Sequence, residues 1–421
     1  MRAVFTGQLG IEKKKILDRF AQSIVDKLGE RATASGGRIV DVYKLEASFC
    51  RSKTEERNWV ETPDVESQLE WWQKGFSKLL SQIGERKPKN VFLSMHAVIL
   101  KYNRYISPLD WNLLRAFAPD LFVTFIDDLI DIWWRIKHGV GRISESEEYR
   151  LHEILAWRSA EIMMTETLAR NLMTGKSCPH YIVAVKHPMN TLERLILEPS
   201  LLRVYTAYPI TDVKKMKREQ QADSTGVDAL IRAIDENRAR FHNKYITFDP
   251  ITIDEFELKG MLEQTGSRSE DGSMTFIREL NRWPVRSAAC DFPLLSDVLE
   301  YPDVIENIPA DQVEEVALDM SHQISWRDYA LLDQVHCMAA YRPNFGGGST
   351  GVNSEFLYSA MKPVSSYGFW PADDGEILRP FKDRGLLAQD YERFLEMVQE
   401  HQDEVLQDPE SWAHGARFET T

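Results

Sequence analysis

The sequence predicts an α/β protein made of two three-layer domains, each with a mainly parallel sheet, and three observations carry that expectation. At 421 residues the chain is longer than one average domain, so two are expected. Short apolar strands alternate with amphipathic helices from end to end, the pattern of parallel sheets covered by helices. Twice a strand runs into a glycine loop and then a helix, once at Arg2 to Thr6 with Gly7 and Gly10, and again at Val335 to Tyr341 with Gly346 to Gly351. Glu198-Pro199-Ser200 marks the boundary, giving domains at residues 1–198 and 199–385 and a C-terminal helix and tail at 386–421.

Composition narrows the function classes. With 51 basic and 65 acidic residues the net charge is −14, which argues against a broad surface for nucleic acid backbone. A local basic pocket for one small phosphate is compatible with that balance. Cys50, Cys178, Cys290 and Cys337 are far apart and form no CxxC pair, so neither a zinc site nor a disulfide framework is expected, and a reducing cytosol fits. No apolar stretch approaches the roughly 18 residues of a membrane span, and Met1-Arg2-Ala3-Val4-Phe5 enters strand-like sequence without a signal-peptide core. A cytoplasmic protein with no membrane partner is expected.

In the first half, Gly7-Gln8-Leu9-Gly10-Ile11-Glu12-Lys13-Lys14-Lys15 leads into a helix whose face is lined by Ile16, Leu17, Phe20, Ile24, Val25 and Leu28. Strand, glycine loop and helix is the context in which backbone N–H groups cradle phosphate. Laid on GxxxxGK[ST], Gly7 is the first glycine and Lys13 the lysine, but Glu12 replaces the second glycine and Lys14 the hydroxyl that would hold Mg²⁺. A carboxylate repels phosphate and a lysine cannot ligate a cation, so the loop is degenerate and counts against working ATP and Mg²⁺ chemistry.

Arg38 to Tyr43 and Asn90 to Ser94 read as strands, Val65 to Ile83 as an aromatic-rich helix, and Ala118 to Ile126 as a buried strand ending in Asp127 and Asp128. Asp127 fits a metal-holding position at a strand end; equally, either aspartate fits the N-cap of the helix that follows. A long helix from Glu147 to Met173 carries Arg158 and Glu161 in its middle, and Tyr181 to Val185 is the last strand of this half. His187 reads as structural, because no second ligand stands at metal spacing.

The second half opens with the strand Leu202 to Ala207, within RVYTAYPITD, and the basic run Lys214 to Arg218. A helix from Gly226 to His242, a strand ending at Asp249, an irregular region from Gln264 to Val304 and a helix around Asp311 to His322 follow. Trp326-Arg327-Asp328 reads as a turn, with Trp326 in the core, and Glu355 is placed in the first turn of the helix after the glycine loop. The tail reads as one helix, Leu386 to Leu406.

These motifs resemble known families. The first half is similar to the adenylate-kinase-like branch of the P-loop nucleoside monophosphate kinases, through its strand order and degenerate loop. The second resembles the nucleoside 2-deoxyribosyltransferases and their nucleotide N-glycosidase relatives, through VYTAYPIT, Arg327-Asp328 and STGVNSEFLYSA. That resemblance implies a Rossmann-like domain in which Glu355 is the nucleophile, Asp328 the acid or hydrogen-bonding partner of the leaving base, and Tyr205 the tyrosine beside the nucleophile. Tyr208, Pro209, Arg327, Arg342, Gly347, Gly348, Ser349, Thr350 and Gly351 would line the substrate site, with the glycine loop and Arg342 receiving phosphate. Ser349 in place of an aspartate, Tyr208 in place of a small residue and His336 in place of an aspartate favour a nucleotide over a nucleoside, and hydrolysis over base exchange.

The chemistry implied is that of a retaining glycosidase applied to a base–sugar bond. It requires no cofactor or metal, and the resemblance implies a homo-oligomer. Each residue also has a plainer reading: Glu355 as a first-turn glutamate favoured by the helix dipole, Asp328 as a cap, and the Gly346 to Gly348 loop as a turn. Two other functions are open at this point, a nucleoside monophosphate kinase working at Lys13 and Asp127, and a non-catalytic nucleotide sensor.

Overall fold

The computed structural model describes residues 1–28, 39–45, 65–101, 104–139, 148–172, 178–219, 225–253, 255, 272–278, 283, 285–343, 350–370, 381 and 383–408. The fold is α/β and divides into two compact units. Met1–Val185 and Leu295–Pro302 belong to the first, Lys186–Leu294 and the described residues from Asp303 onward to the second. Among the described residues no helix is long and apolar enough to cross a membrane.

In the first unit the strands are β1 (Arg2–Thr6), β2 (Val40–Lys44), β3 (Asn90–Ser94), a hairpin of β4 (Ile99–Lys101) and β5 (Arg104–Ile106), β6 (Leu121–Ile126) and β7 (His180–Ala184). The main sheet runs β2-β3-β1-β6-β7 with every neighbour parallel. Its strands are nearly continuous apolar runs because helices cover both faces. Those helices are α1 (Lys13–Leu28), α2 (Val65–Arg86), α3 (Trp111–Phe117), α4 (Leu129–Lys137) and α5 (Leu151–Asn171). Trp72, Phe76 and Leu79 of α2 pack with Leu93, Phe122 and Leu168 into one core. Gly7, directly after β1, is backbone-determined: its φ is +141°, and a Cβ there would lie 2.7 Å from the Phe125 carbonyl oxygen.

The second unit contains α6 (Met189–Leu197), β8 (Arg203–Ala207), α7 (Ile210–Glu219), α8 (Thr225–Lys244), β9 (Ile246–Phe248), β10 (Ser273–Ile277) and β11 (Val304–Pro309). After them come α9 (Ala310–Leu332), β12 (Cys337–Tyr341), α10 (Thr350–Ala360), β13 (Ser365–Phe369), β14 (Leu387–Ala388) and α11 (Tyr391–Gln407). The sheet β14-β13-β12-β8-β9 is parallel throughout, and β10 and β11 form a separate antiparallel pair. From β8 the chain crosses to β9 on one side, whereas from β12 it crosses to β13 on the other. That reversal makes a topological switch point between β8 and β12, beyond whose carboxyl ends doubly wound sheets take ligands.

Four expectations are corrected. Arg327 and Asp328 are in the interior of α9 and not at a turn. Val313, Val316, Met320, Ile324 and Leu331 are buried at helical spacing, and Arg327 and Asp328 continue that same face, so a charged pair interrupts an apolar stripe without ending the helix. Part of the region expected to be irregular is strand, since Ser273–Ile277 pairs with Val304–Pro309. The tail is not one helix: Leu387–Ala388 adds an edge strand, and α11 starts only at Tyr391, where Asp390 accepts the Arg393 N–H. Finally, the units divide at Val185 and not at residue 198. Helix α6 is fastened to α8 and β9, with Asn190 and Arg194 donating to the His242 carbonyl and Thr191 to that of Thr247.

Candidate active site

Four strands and helices bring the second unit's candidate residues together. Tyr205 comes from β8, where its side chain is fully buried, and its hydroxyl donates to Glu355 Oε1 at 3.0 Å. Glu355 lies in the second turn of α10, not the first, so the helix dipole contributes less to its charge than expected and Tyr205 contributes more. On α9, Arg327 Nε and Nη2 both donate to Asp328 Oδ1, at 3.0 and 2.8 Å. Arg327 Nη1 lies 3.5 Å from Glu255, a buried carboxylate that follows β9.

Charge balance sets the character of this group. Three carboxylates, Glu255, Asp328 and Glu355, share one buried guanidinium. Burial alone would lower Arg327's pKa, but Asp328 and Glu255 raise it, so it stays charged. Glu355 is raised well above the ordinary carboxylate range, first by loss of water and then by the Asp328 charge, with the Tyr205 hydrogen bond and Arg327 pulling the other way. Burial, Asp328 and Glu355 together push Tyr205 well up, so its hydroxyl keeps its proton and acts as a donor. Tyr329 also feels the Glu355 and Asp328 charges, and its ring stacks on Tyr358 at 4.0 Å.

The remaining predicted residues are placed as follows. Arg342 is buried directly after β12, its backbone N–H on the Phe369 carbonyl and its guanidinium 4.7 Å from the Trp370 ring centre; burial lowers its pKa against the pull of Asp212. Pro209 is buried, and its carbonyl accepts the Val213 N–H at the start of α7. Tyr208 is engaged in a second buried cluster: Asn237 donates to its hydroxyl, and Arg238 bridges Asp249 and Asp235 nearby. Thr350 and Gly351 begin α10, while Gly347, Gly348 and Ser349 lie outside the described residues. Trp326 is exposed and not in the core.

Sequence reasoning missed Glu255 and Tyr329. Glu255 follows β9 in a stretch without periodicity, and nothing in its surroundings marks it. Tyr329 directly follows Asp328 in sequence, but only the helical path of α9 brings it near the Glu355 charge.

In the first unit the residues laid on the P-loop pattern are engaged with the protein's own groups. Lys13 Nζ bonds to the Gly7 carbonyl at 2.5 Å and approaches His96, and Lys14 pairs outward with Asp18. Asp127 pairs with Arg135 and accepts from the Tyr301 hydroxyl. With Asp128 and Asp131 it forms an acidic cluster, yet that cluster already contains the Arg135 cation. Asp128 occupies the N-cap position of α4 without a side-chain capping bond. His187 accepts the Asp249 N–H at 3.0 Å, a structural use.

No protein-family model matches this chain, and no curated protein matches it.

Proposed function

We propose that the second unit breaks the base–sugar bond of a nucleotide, by hydrolysis or by exchange of the base, with Glu355 as the nucleophile. The observation that supports this most is the hydrogen bond from the buried Tyr205 hydroxyl to the Glu355 carboxylate, beside the Arg327–Asp328 pair. A carboxylate with one hydrogen-bond donor and a second carboxylate nearby is the pairing that retaining glycosidic chemistry needs.

In this reading an ionised Glu355 oxygen forms a bond to C1′ while the C1′–N bond breaks and its electron pair leaves with the base. Water or a second base then attacks C1′ and frees Glu355, so the sugar keeps its configuration. Asp328, whose Oδ1 accepts two N–H groups from Arg327, is the second carboxylate, the acid or hydrogen-bonding partner of the leaving base. The proton lost by the attacking water or second base balances the one the departing base takes up. To Arg342, which follows β12 at its carboxyl end, this reading assigns the 5′-phosphate. Glu355 must lose its proton to attack, so turnover rises with pH through its raised pKa.

The test is a panel of ribo- and deoxynucleotides, with free base followed chromatographically. Release from a nucleotide, and not from the matching nucleoside, supports both the reaction and the role given to Arg342. No release from any member of the panel rejects the reading.

A further inference from the structure

We infer that the first unit holds an oxyanion site already filled by the protein's own Glu161, so that this half takes no nucleotide phosphate. This inference stands apart from the reaction proposed for the second unit.

The geometry begins at the end of β1. Gly7 turns the chain with a φ that excludes side chains, and its N–H points to Glu161 Oε1 at 2.9 Å. From the loop after β3, the Ala97 N–H reaches the same oxygen at 2.9 Å and the Val98 N–H reaches Oε2 at 2.6 Å. Three backbone donors from two loops thus converge on one carboxylate that is 1% exposed. Convergent backbone N–H groups at a glycine turn after the first strand are what a phosphate-binding nest offers. Here the anion arrives from the middle of α5.

Its placement is held from several sides. On the same face of α5, the Ile154 carbonyl accepts from Gln8, Trp157 donates to the Val98 carbonyl, and the Thr165 hydroxyl meets that of Thr6. Both loops are therefore tied to the helix that delivers Glu161. Burial raises the pKa of Glu161 above the ordinary carboxylate value, against the opposing pull of Lys13 and the three N–H groups. A phosphate entering this nest would find the very donors it needs already taken by the Glu161 carboxyl group, with Glu12 and Lys14 also at odds with a nucleotide loop.

The full-length chain tests this by calorimetric titration and thermal unfolding with inorganic phosphate, Mg²⁺-ATP and sodium formate. Any phosphate or Mg²⁺-ATP binding by the chain with Glu161 intact is expected to be lost in Arg342→Met, whose substitution lies in the second unit. Glu161→Ala is expected to melt lower and to recover saturably with formate or phosphate, as small oxyanions fill the vacated nest. Thr165→Ala, on the same helix face, is expected to show no such recovery. Should Glu161→Ala not fold, Glu161→Gln replaces it: its amide fills the space, so it is expected to fold, melt lower and ignore added anions. Stoichiometric phosphate or Mg²⁺-ATP binding that survives in Arg342→Met overturns the inference, as does anion recovery in Glu161→Ala no larger than in Thr165→Ala, or in Glu161→Gln equal to that expected of the alanine variant.

Discussion

Replacing Tyr205 with Phe removes one oxygen and leaves the ring that packs in β8. The lost bond is 3.0 Å long and runs from a fully buried hydroxyl to a carboxylate. Hydrogen bonds to charged groups contribute about 1.5–3 kcal/mol, and about 1.4 kcal/mol is a factor of ten in a protonation equilibrium. Ionised Glu355 should therefore become about 10–100 times scarcer relative to its protonated form at any given pH. Because the raised pKa of Glu355 comes from burial and Asp328, with Tyr205 opposing them, Tyr205→Phe pushes it further up. The acid limb of kcat/KM for base release should then move to higher pH, with a loss of about 10–100-fold on that limb and convergence on wild type at alkaline pH. Base release measured across a pH series, with circular dichroism to verify folding, reads this out. An equal loss at every pH, with the limb unmoved, would mean that Tyr205 only supports the packing.

Other outcomes follow from the same charge balance. Glu355 binds its proton more tightly folded than unfolded, so folded stability falls as pH rises from the ordinary carboxylate range through the raised value. Glu355→Gln lacks that loss and should melt higher than wild type at neutral pH and equally at acid pH; identical pH profiles would show that Glu355 is not strained. Arg327→Met leaves three carboxylates without their buried counter-charge and should cost about 3–5 kcal/mol at neutral pH, less in acid, as urea unfolding at two pH values would show. Gly7→Ala meets the Phe125 carbonyl at 2.7 Å with φ at +141° and should destabilise by about 1–3 kcal/mol. At Gly351 an added Cβ has nothing within 4 Å among the described residues, so Gly351→Ala should leave stability unchanged or raised by up to about 1 kcal/mol, and any loss of base release would report contact with ligand.

How much of this was legible in the sequence depended on what each signal measures. The parallel strands were readable because Asn90–Ser94, Leu121–Ile126 and Cys337–Tyr341 are fully buried apolar runs, and burial on both faces leaves that mark in composition. The helical path through Arg327 and Asp328 was not, because two charges on the apolar stripe of α9 imitate a helix end until Glu255 and Glu355 are seen beside them in space. Glu355 and Tyr205 were named through a resemblance; their hydrogen bond spans 150 residues, a separation over which local periodicity carries no information. Glu161 appeared only as a charge in mid-helix, since its three partners are backbone N–H groups whose direction is set by loop geometry and not by residue type.

The central claim rests on one carboxylate, and the most direct measurement compares free-base release by wild type and Glu355→Ala on the same nucleotide panel, with both proteins verified as folded. The account predicts release by wild type and none above the uncatalysed background by the variant. Release by Glu355→Ala at the wild-type rate would contradict it.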